Sequence, residues 1–262
     1  MVRTPGPRRL PPYAAWLAVW HRNLRVWRKI APASLAGNFG EPLLYLLALG
    51  YGLGGFVGRL EGMSYIGFLA TGIVSSSAMM SATFEATYSA YTRMAVQGTW
   101  DSITNAPIEV GDVVLGEVVW AATKSLFSGV AILMVASALG ILDGWQALWV
   151  PPVVLLAGLC FASLAMVVTT FARSYDFFLF YTTLLITPML LISGVFFPTD
   201  KMPAAVRLLA ETLPLSHAVT IVRPLMIGLD PPRPLIDCAV LALYAMFGVA
   251  IATWRARRRL CV

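Results

Sequence analysis

Long apolar stretches alternate with short polar segments along the whole chain. Six of the apolar stretches approach the roughly 20 residues that an α-helix needs to cross a bilayer. The predicted spans are residues 32–57, 64–91, 113–139, 145–171, 177–197 and 235–254. The pattern therefore predicts an all-α polytopic membrane protein with six transmembrane helices, within a transmembrane domain covering residues 31–262.

A basic, tryptophan-rich segment, residues 13–30, precedes the first predicted span. Its apolar side chains recur at three- and four-residue spacing, and most of its basic side chains lie on other faces. The residues that mark the two faces are Trp16, Trp20 and Trp27 on one side and Arg25 on the other. This pattern is typical of an amphipathic helix that lies in the bilayer interface, and the alternative is a surface helix of a soluble domain. The basic, proline-rich residues 1–12 are expected to be disordered.

Residues 198–234, between the fifth and sixth predicted spans, are too polar for another full crossing. They nevertheless contain short apolar runs, separated by several prolines that interrupt regular helix. We therefore expect a re-entrant helical segment here, with one or two short helices that enter the outer half of the membrane.

Composition and charge placement agree with a membrane protein. Of the 262 residues, 58% are hydrophobic and 12% are charged, whereas a soluble domain carries about a quarter charged residues. If both termini are cytoplasmic, the inner segments hold 13 Lys and Arg residues and the outer segments hold five. This asymmetry follows the positive-inside rule and predicts a multi-pass protein of a bacterial inner membrane. The net charge of +6 is then a topology signal, so no nucleic-acid partner is expected.

The polar segment Met94–Asp112 lies between two predicted spans on the predicted cytoplasmic side. The segment is long enough for a helix and is a candidate for the element that an energy-supplying partner pushes. Residues 98–101 offer a rigid tryptophan for docking and a Thr or Asp that is suited to capping a helix N-terminus. The candidate contact residues are Gly98, Thr99, Trp100, Asp101 and Ile103.

The chain lacks the motifs of an enzyme or an ATPase. A phosphate-binding P-loop needs glycine before its Lys-Ser or Lys-Thr pair, but Thr123 precedes Lys124 and Ser125. The two histidines, His21 and His217, fall on opposite predicted sides, and the three cysteines have no metal-binding spacing. We therefore expect no catalytic residue, no metal site and no cofactor in this chain.

Charge inside a predicted span is costly and often functional, and the candidates there are Glu41, Glu85, Glu117 and Lys124. At about 1.5 Å per helical residue, Glu41 and Lys124 lie roughly 15 and 18 Å from the cytoplasmic side and can meet. A structural ion pair and a functional site both remain open. Glu85 and Glu117 lie within about 9 Å of the cytoplasmic side. A proton relay is disfavoured because no ladder of carboxylates crosses the bilayer.

Gly50, Gly54 and Gly58 repeat at every fourth residue of the first predicted span. Small residues at this spacing allow close helix approach, either within the chain or between two copies of it. The second span is rich in hydroxyl and aromatic side chains, which suit a sugar. The second span therefore either lines a polar or amphiphilic path or packs tightly against its neighbours, and its composition does not specify a cargo.

The sequence resembles the permeases of ABC-2 type exporters, and within them the permeases of rhizobial nodulation-factor exporters. The matching strings are WLAVWHRNLRVWRK (16–29), EPLLYLLALGYGLG (41–54), SYIGFLATGIVSSSAM (64–79), GDVVLGEVVWAATKS (111–125), FASLAMVVT (161–169), SYDFFLFYTTLLITPMLLISGVFFP (174–198) and LPLSHAVTIVRPLMIG (213–228).

This resemblance implies a homodimeric permease bound to two copies of an ATPase subunit, which holds the ATP and Mg. It also implies export of an amphiphilic lipo-chitooligosaccharide, with residues 94–107 as the coupling helix. The alternatives are an exporter of another lipid-linked polysaccharide or of a drug, a proton-coupled carrier, and a membrane-embedded enzyme acting on lipid-linked sugar.

Overall fold

The structure, a computed structural model, describes residues 15–260, except for the side chains at positions 33, 35–39 and 41. The region expected to be disordered, residues 1–12, and the start of the predicted helix 13–30 lie outside the described residues. The α-helices are α1 Ala15–Arg28, α2 Ala31–Val57, α3 Tyr65–Phe84, α4 Thr99–Thr104, α5 Val110–Ala138, α6 Val150–Phe171, α7 Asp176–Tyr181, α8 Thr187–Ile192, α9 Ala204–Thr212, α10 Pro214–Met226 and α11 Pro234–Leu260.

Shorter elements connect or extend these helices. The π-helical segments are Glu85–Ser89, Thr92–Val96 and Thr182–Ile186, and the 3₁₀ turns are Trp145–Trp149 and Thr199–Lys201. The strands β1 Arg59–Leu60 and β2 Met63–Ser64 form an antiparallel hairpin in which Leu60 pairs with Met63. Its two turn residues, Glu61 and Gly62, both have positive φ, as a tight two-residue hairpin turn requires.

The core is a helical bundle in which α6 packs against α3, α5 and α11. Helix α1 lies along α5, α2 lies against α3, and α10 packs on α3, α6 and α11. The most apolar stretch of α3 is 89% buried within the protein, whereas that of α11 is 22% buried. Helix α3 is therefore a central element of the fold, and α11 presents most of its apolar surface outward.

Small residues let the central helices approach closely. A Cβ added at Gly158 of α6 would come within 3.2 Å of Ala122 Cα on α5. A Cβ at Gly248 of α11 would lie 2.8 Å from Ser163 Cβ on α6. Any larger side chain would force these helices apart, so both glycines hold the bundle together through backbone proximity.

By length and composition, four helical segments of the described chain can cross a membrane, or five if the bent pair α9–α10 counts as one span. The structure is mostly helical, as predicted, with several helices apolar enough to cross a membrane, but the predicted count of six spans is not reached by this criterion. The two predicted spans that fall short correspond to apolar helices of 10–17 residues, Pro42–Val57 and Asp176–Ile192. Helix α2 itself runs without a break from Ala31 to Val57, whereas α8 ends at Ile192, five residues before the predicted boundary.

Residues 198–234 contain the bent helix pair that the proline pattern favours. Helices α9 and α10 meet at 87°, with Pro203 at the N-cap of α9 and Pro214 as the first residue of α10. Proline suits the start of a helix, where its missing N–H has no partner to lose. Pro224 does not end α10, which continues to Met226.

Candidate functional site

A cluster of four charged side chains lies between α3, α5 and the π-helical segments that follow α3. Arg93 Nη2 donates to Glu85 Oε1 at 2.9 Å and to Glu117 Oε2 at 2.6 Å, while its Nε lies 3.0 Å from Glu117 Oε1. Lys124 Nζ donates to Glu85 Oε2 at 2.8 Å. We call these four residues the inner cluster. Two carboxylates face two cations, so the cluster as a whole is neutral.

The carboxylates of the inner cluster are also bonded by neutral donors. Trp120 Nε1 donates to Glu85 Oε1 at 2.9 Å, and Asn23 Nδ2 donates to Glu117 Oε2 at 3.1 Å. Glu85 is 4% exposed and Glu117 is fully buried. Burial of an unpaired carboxylate is very costly, so each of these donors offsets part of the cost of burying the two acids.

The inner cluster connects to α1 and to the short helix α4. Arg22 Nη1 donates to Asn23 Oδ1 at 3.0 Å, and Arg22 Nη2 donates to Thr99 Oγ1 at 3.4 Å. Burial lowers the pKa of Arg22, and the nearby carboxylate of Glu117 opposes this shift. A continuous set of hydrogen bonds therefore runs from α4 through α1 to the buried carboxylate of α5.

The tryptophan face of α1 packs on protein. Trp20 Nε1 donates to Thr123 Oγ1 at 3.0 Å, and the Trp27 ring stacks on Phe127 at 5.3 Å between centroids. Trp27 Nε1 also donates to Ser34 Oγ at 3.0 Å. Side chains of α5 and α2 therefore occupy the polar edges of these two rings, while the position of the helix in the bilayer interface stays a prediction.

Gly116 of α5 permits this close contact with α1. A Cβ at this position would lie 2.7 Å from the backbone oxygen of Trp16 and 2.6 Å from Val19 Cβ. Arg25 lies on the other side of α1 and is exposed, as the sequence pattern predicts. Helix α1 thus has one face fixed to the bundle and one basic face that remains open.

The segment between α3 and α5 contains the short helix Thr99–Thr104 within the predicted range 94–107. Gly98 precedes it with φ of +58°, a left-handed conformation that glycine adopts without strain. Asp101 and Ser102 are exposed, and Ser102 Oγ donates to the Gly98 carbonyl at 3.0 Å. The outward face of α4 is therefore small, polar and accessible.

Trp100 differs from its predicted role as an exposed docking anchor. Its side chain is fully buried in the hydrophobic core, and no hydrogen bond to Nε1 is present among the described residues. Ile103, on the same helix, is half-buried and packs against that core. The expectation is corrected: the tryptophan fixes α4 to its own chain, because a large aromatic ring gains more from burial than from exposure.

The side chain of Glu41, the proposed partner of Lys124, lies outside the described residues. The partner that the structure gives to Lys124 is Glu85. Arg93, counted in the sequence only as a cytoplasmic charge, is the centre of the cluster. The wide turns of the π-helical segments Glu85–Ser89 and Thr92–Val96 separate Arg93 from Glu85, and such segments are frequent at functional sites.

The sequence contained one signal for the missed link to α1. Asn23 falls in the middle of the tryptophan face, between positions that carry Trp16, Trp20 and Trp27. A polar side chain at such a position needs a buried partner, and Glu117 provides it. The residues of π-helical turns have no comparable sequence signal.

The three glycines of the first span have three different environments. A Cβ at Gly50 would lie 2.8 Å from Ile66, so this position serves packing within the chain. A Cβ added at Gly54 would meet nothing within 4 Å among the described residues, so its surroundings are open. Gly58 ends α2 with φ of +71°, so its role is in the turn that follows the helix.

A groove of about 250 Å³ lies where α2 and α3 face the end of α8. Its lining combines hydroxyl groups with aromatic rings, including those of Ser76, Ser81, Tyr45, Phe84 and Phe196. The Ser81 hydroxyl has no hydrogen-bond partner among the described residues. The groove is thus chemically suited to a molecule that carries both hydroxyl and apolar groups.

Comparison with known proteins gives a consistent result. The family model described as ABC-2 type transporter matches residues 14–227. Nodulation protein J of Rhizobium meliloti (strain 1021) is 46% identical over 245 residues, covering 94% of each chain. Nodulation protein J of Bradyrhizobium diazoefficiens is 48% identical over 244 residues, covering 92% of this chain and 93% of that protein. The inner membrane transport permease YadH of Escherichia coli (strain K12) is 20% identical over 216 residues, 82% of each chain.

Proposed function

The chain belongs to the ABC-2 type transporter family, and on that basis we propose that it is the permease of an ATP-driven exporter of an amphiphilic lipo-oligosaccharide. The similar proteins named Nodulation protein J support a cargo of the nodulation-factor kind, a lipo-chitooligosaccharide. A separate ATPase subunit, present in two copies, holds ATP and Mg and supplies the energy. The observation that carries this proposal is the set of hydrogen bonds that links the accessible helix α4, through α1, to the inner cluster.

In this account α4 is the element on which the ATPase acts. Its exposed Asp101 and Ser102 provide the contact, and the buried Trp100 keeps the helix fixed to the bundle. A displacement of α4 reaches α5 along the hydrogen bonds from Thr99 through Arg22. Because Arg93 bonds the carboxylates of α5 and of the segment after α3 together, both elements respond to the movement.

The proposed topology has six crossings with both termini in the cytoplasm of a bacterial cell. Four of the crossings are the long spans, and the other two are α2 and the helical stretch Asp176–Ile192. Helix α2 has 27 residues, with Pro42 inside it, and is therefore about 40 Å long, enough to cross hydrocarbon. The bent pair α9–α10 then forms the re-entrant segment on the outer side.

The groove at α2, α3 and α8 is the proposed route for the cargo. Exposed apolar side chains continue this surface along α2: Leu44 is 68% exposed, Tyr51 66% and Phe56 90%. An apolar surface of this kind suits either lipid or a second copy of the chain. We propose a homodimer in which the two grooves face each other and enclose the cargo.

The chemistry of the inner cluster favours this mechanism over a proton-coupled carrier. A proton carrier needs a carboxylate that exchanges protons with water, whereas Glu85 and Glu117 are buried and bonded to cations. We expect transport to require nucleotide hydrolysis in the partner subunit.

The test is uptake of labelled lipo-chitooligosaccharide into inside-out vesicles that contain this chain with or without its ATPase. We expect uptake that needs both ATP and the ATPase and that persists when an ionophore collapses the proton gradient. Uptake without the ATPase, abolished by the ionophore, would establish the carrier instead. ATP-dependent transport that prefers a lipid-linked polysaccharide or a drug would retain the exporter and replace the cargo.

A further inference from the structure

A second polar region lies at the opposite end of the bundle from the inner cluster. It is a cavity of about 270 Å³ near the junction of α9 and α10, which we call the outer pocket. Its lining includes the guanidinium groups of Arg207, Arg223 and Arg233 and the hydroxyl groups of Ser193 and Ser216. The carboxylates of Glu61 and Glu211 also line it, so the guanidinium groups outnumber the carboxylates in the lining.

One arginine forms a fixed wall of the outer pocket. Arg223 Nε donates to Thr71 Oγ1 at 3.0 Å, and its Nη2 donates to the Gly194 carbonyl at 2.6 Å. The guanidinium lies 3.8 Å from the ring centroid of Phe68, a cation–π contact, and Nη1 lies 3.8 Å from Glu61. Contacts on three parts of the chain hold this cation in place before any ligand arrives.

Other polar groups of the outer pocket have no partner. Arg207 and Arg233 are exposed, and neither makes a side-chain hydrogen bond or ion pair with the described residues. Ser193 is 1% exposed, yet its hydroxyl has no hydrogen-bond partner among the described residues, and the same holds for the buried hydroxyl of Ser216. Buried polar groups are normally bonded, so unmet hydroxyls beside free guanidinium groups indicate a site for a ligand.

The histidine in the lining is already occupied. His217 Nδ1 lies 2.7 Å from Asp237 Oδ1, and its Nε2 lies 3.0 Å from the backbone oxygen of Glu211. These contacts tie α10 to α11 and to the end of α9. The binding capacity of the outer pocket therefore belongs to its arginines and hydroxyls.

The lining of the outer pocket indicates a ligand with a negative charge, and the rim of the pocket indicates that the ligand also has apolar chains. The described lining contains no Phe, Tyr or Trp ring on which a sugar can stack, whereas guanidinium groups match the geometry of a phosphate oxyanion. Apolar side chains flank the free arginines on the surface: Leu208 is 67% exposed beside Arg207, and Leu235 is 85% exposed near Arg233. In the proposed topology α10 enters the membrane, so α9, bent 87° from α10, lies along the bilayer surface.

We propose that the outer pocket binds the phosphate headgroup of an anionic membrane phospholipid, whose acyl chains lie over the apolar rim. The proposal depends on the membrane topology given above and is independent of the ATPase and of the exported cargo. A lipid held here would contact α9, α10 and the α8–α9 connection at once, and so would stabilise the re-entrant segment.

The test is lipid retention by the whole protein, purified in phosphatidylcholine nanodiscs and titrated with phosphatidylglycerol before native mass spectrometry. We expect a phosphatidylglycerol molecule to be retained by each chain in preference to phosphatidylcholine. The variant Arg207→Gln/Arg233→Gln should weaken this retention by about tenfold or more, because each arginine loses a charge-assisted hydrogen bond. The matched control Arg59→Gln/Lys201→Gln also removes two positive charges from the outer side, but from positions outside the pocket. It should change the retention of phosphatidylglycerol by less than about threefold.

Three results would overturn the proposal. Equal weakening by both double variants would assign the effect to general surface charge, and equal retention of the two lipids would remove the role of the anion. Displacement by inorganic phosphate as readily as by phosphatidylglycerol would indicate a site for a free anion without acyl chains. The melting temperature of each variant in phosphatidylcholine identifies any folding defect. If the glutamine variant does not fold, Arg207→Lys/Arg233→Lys, which keeps the charge but loses the planar fork, should still weaken retention, and unchanged retention would count against the site.

Discussion

The inner cluster and the outer pocket are both charged regions of one helical bundle, but they differ in how far their polar groups are satisfied. In the inner cluster every carboxylate oxygen has a donor within 3.1 Å, and the charges cancel. In the outer pocket two guanidinium groups and two hydroxyls have no partner in the described chain.

This difference indicates two kinds of task. A saturated network resists being pulled apart, because removing one partner leaves a buried charge unpaired. It is therefore suited to carrying movement from α4 into the bundle. A set of unsatisfied donors is suited to receiving something from outside. The following predictions test the contrast, beginning with the largest expected effect.

Arg93→Met should have the largest effect, because it leaves the carboxylates of Glu85 and Glu117 with Lys124 as the one remaining cation of the cluster. Breaking a buried ion pair from one side typically costs about 3–5 kcal/mol. We expect a strongly lowered melting temperature in detergent, or failure to accumulate in the membrane. Arg173→Met is the control, since Arg173 is exposed and its side chain makes no hydrogen bond or ion pair with the described residues. A similar fall in melting temperature or in membrane accumulation for both variants would contradict the role of Arg93 in holding Glu85 and Glu117.

Trp100→Ala should have the next largest effect, through a cavity beneath α4. Truncating a fully buried tryptophan costs about 3–5 kcal/mol at most sites, and less where the surroundings can collapse, as expected next to an exposed helix. Both the melting temperature and co-purification with the ATPase should fall, because α4 loses its support. Trp100→Phe keeps much of the aromatic surface, so it should retain both the melting temperature and co-purification with the ATPase. An unchanged melting temperature for Trp100→Ala would mean that the ring is not buried.

A double-mutant cycle on Glu85 and Lys124 should show a smaller, specific coupling. Contacting charges give interaction energies of about 0.5–3 kcal/mol, so Glu85→Gln and Lys124→Met should not be additive in thermal unfolding. The matched cycle of Glu41→Gln with Lys124→Met should be additive. Coupling in the second cycle without coupling in the first would restore the pairing that the sequence suggested.

Changes on the outward face of α4 should have the smallest effect on stability. Asp101→Ala/Ser102→Ala alters two exposed side chains and should change the free energy of unfolding by less than about 0.5–1 kcal/mol. Co-purification with the ATPase should nevertheless weaken. Thr104→Ala, on the less exposed side of the same helix, serves as the control. Full retention of the ATPase by the double variant would place the contact elsewhere.

Part of the fold and of the inner cluster could be predicted from the sequence. The long spans α5, α6 and α11 follow from uninterrupted apolar runs, and the break at Pro214 follows from the chemistry of proline. Glu85, Glu117 and Lys124 were found because charge is rare in such runs.

Contacts between elements were harder to predict. The pairing of Arg93 depends on π-helical turns, which have no compositional signature. The burial of Trp100 and the packing of Trp20 depend on where α1 and α4 lie against α5. An amphipathic pattern indicates that a face is buried but does not distinguish lipid from a neighbouring helix as the surface that buries it.

The most direct test of the central claim is cargo-stimulated ATP hydrolysis by the complex in nanodiscs, comparing the native chain with Arg93→Lys. Lysine keeps the positive charge but cannot bond Glu85 and Glu117 together through a planar fork. We predict that the variant still binds the ATPase, while stimulation by lipo-chitooligosaccharide falls about tenfold, within the range of energetic coupling between distant sites. Undiminished stimulation in a folded Arg93→Lys complex would contradict the account.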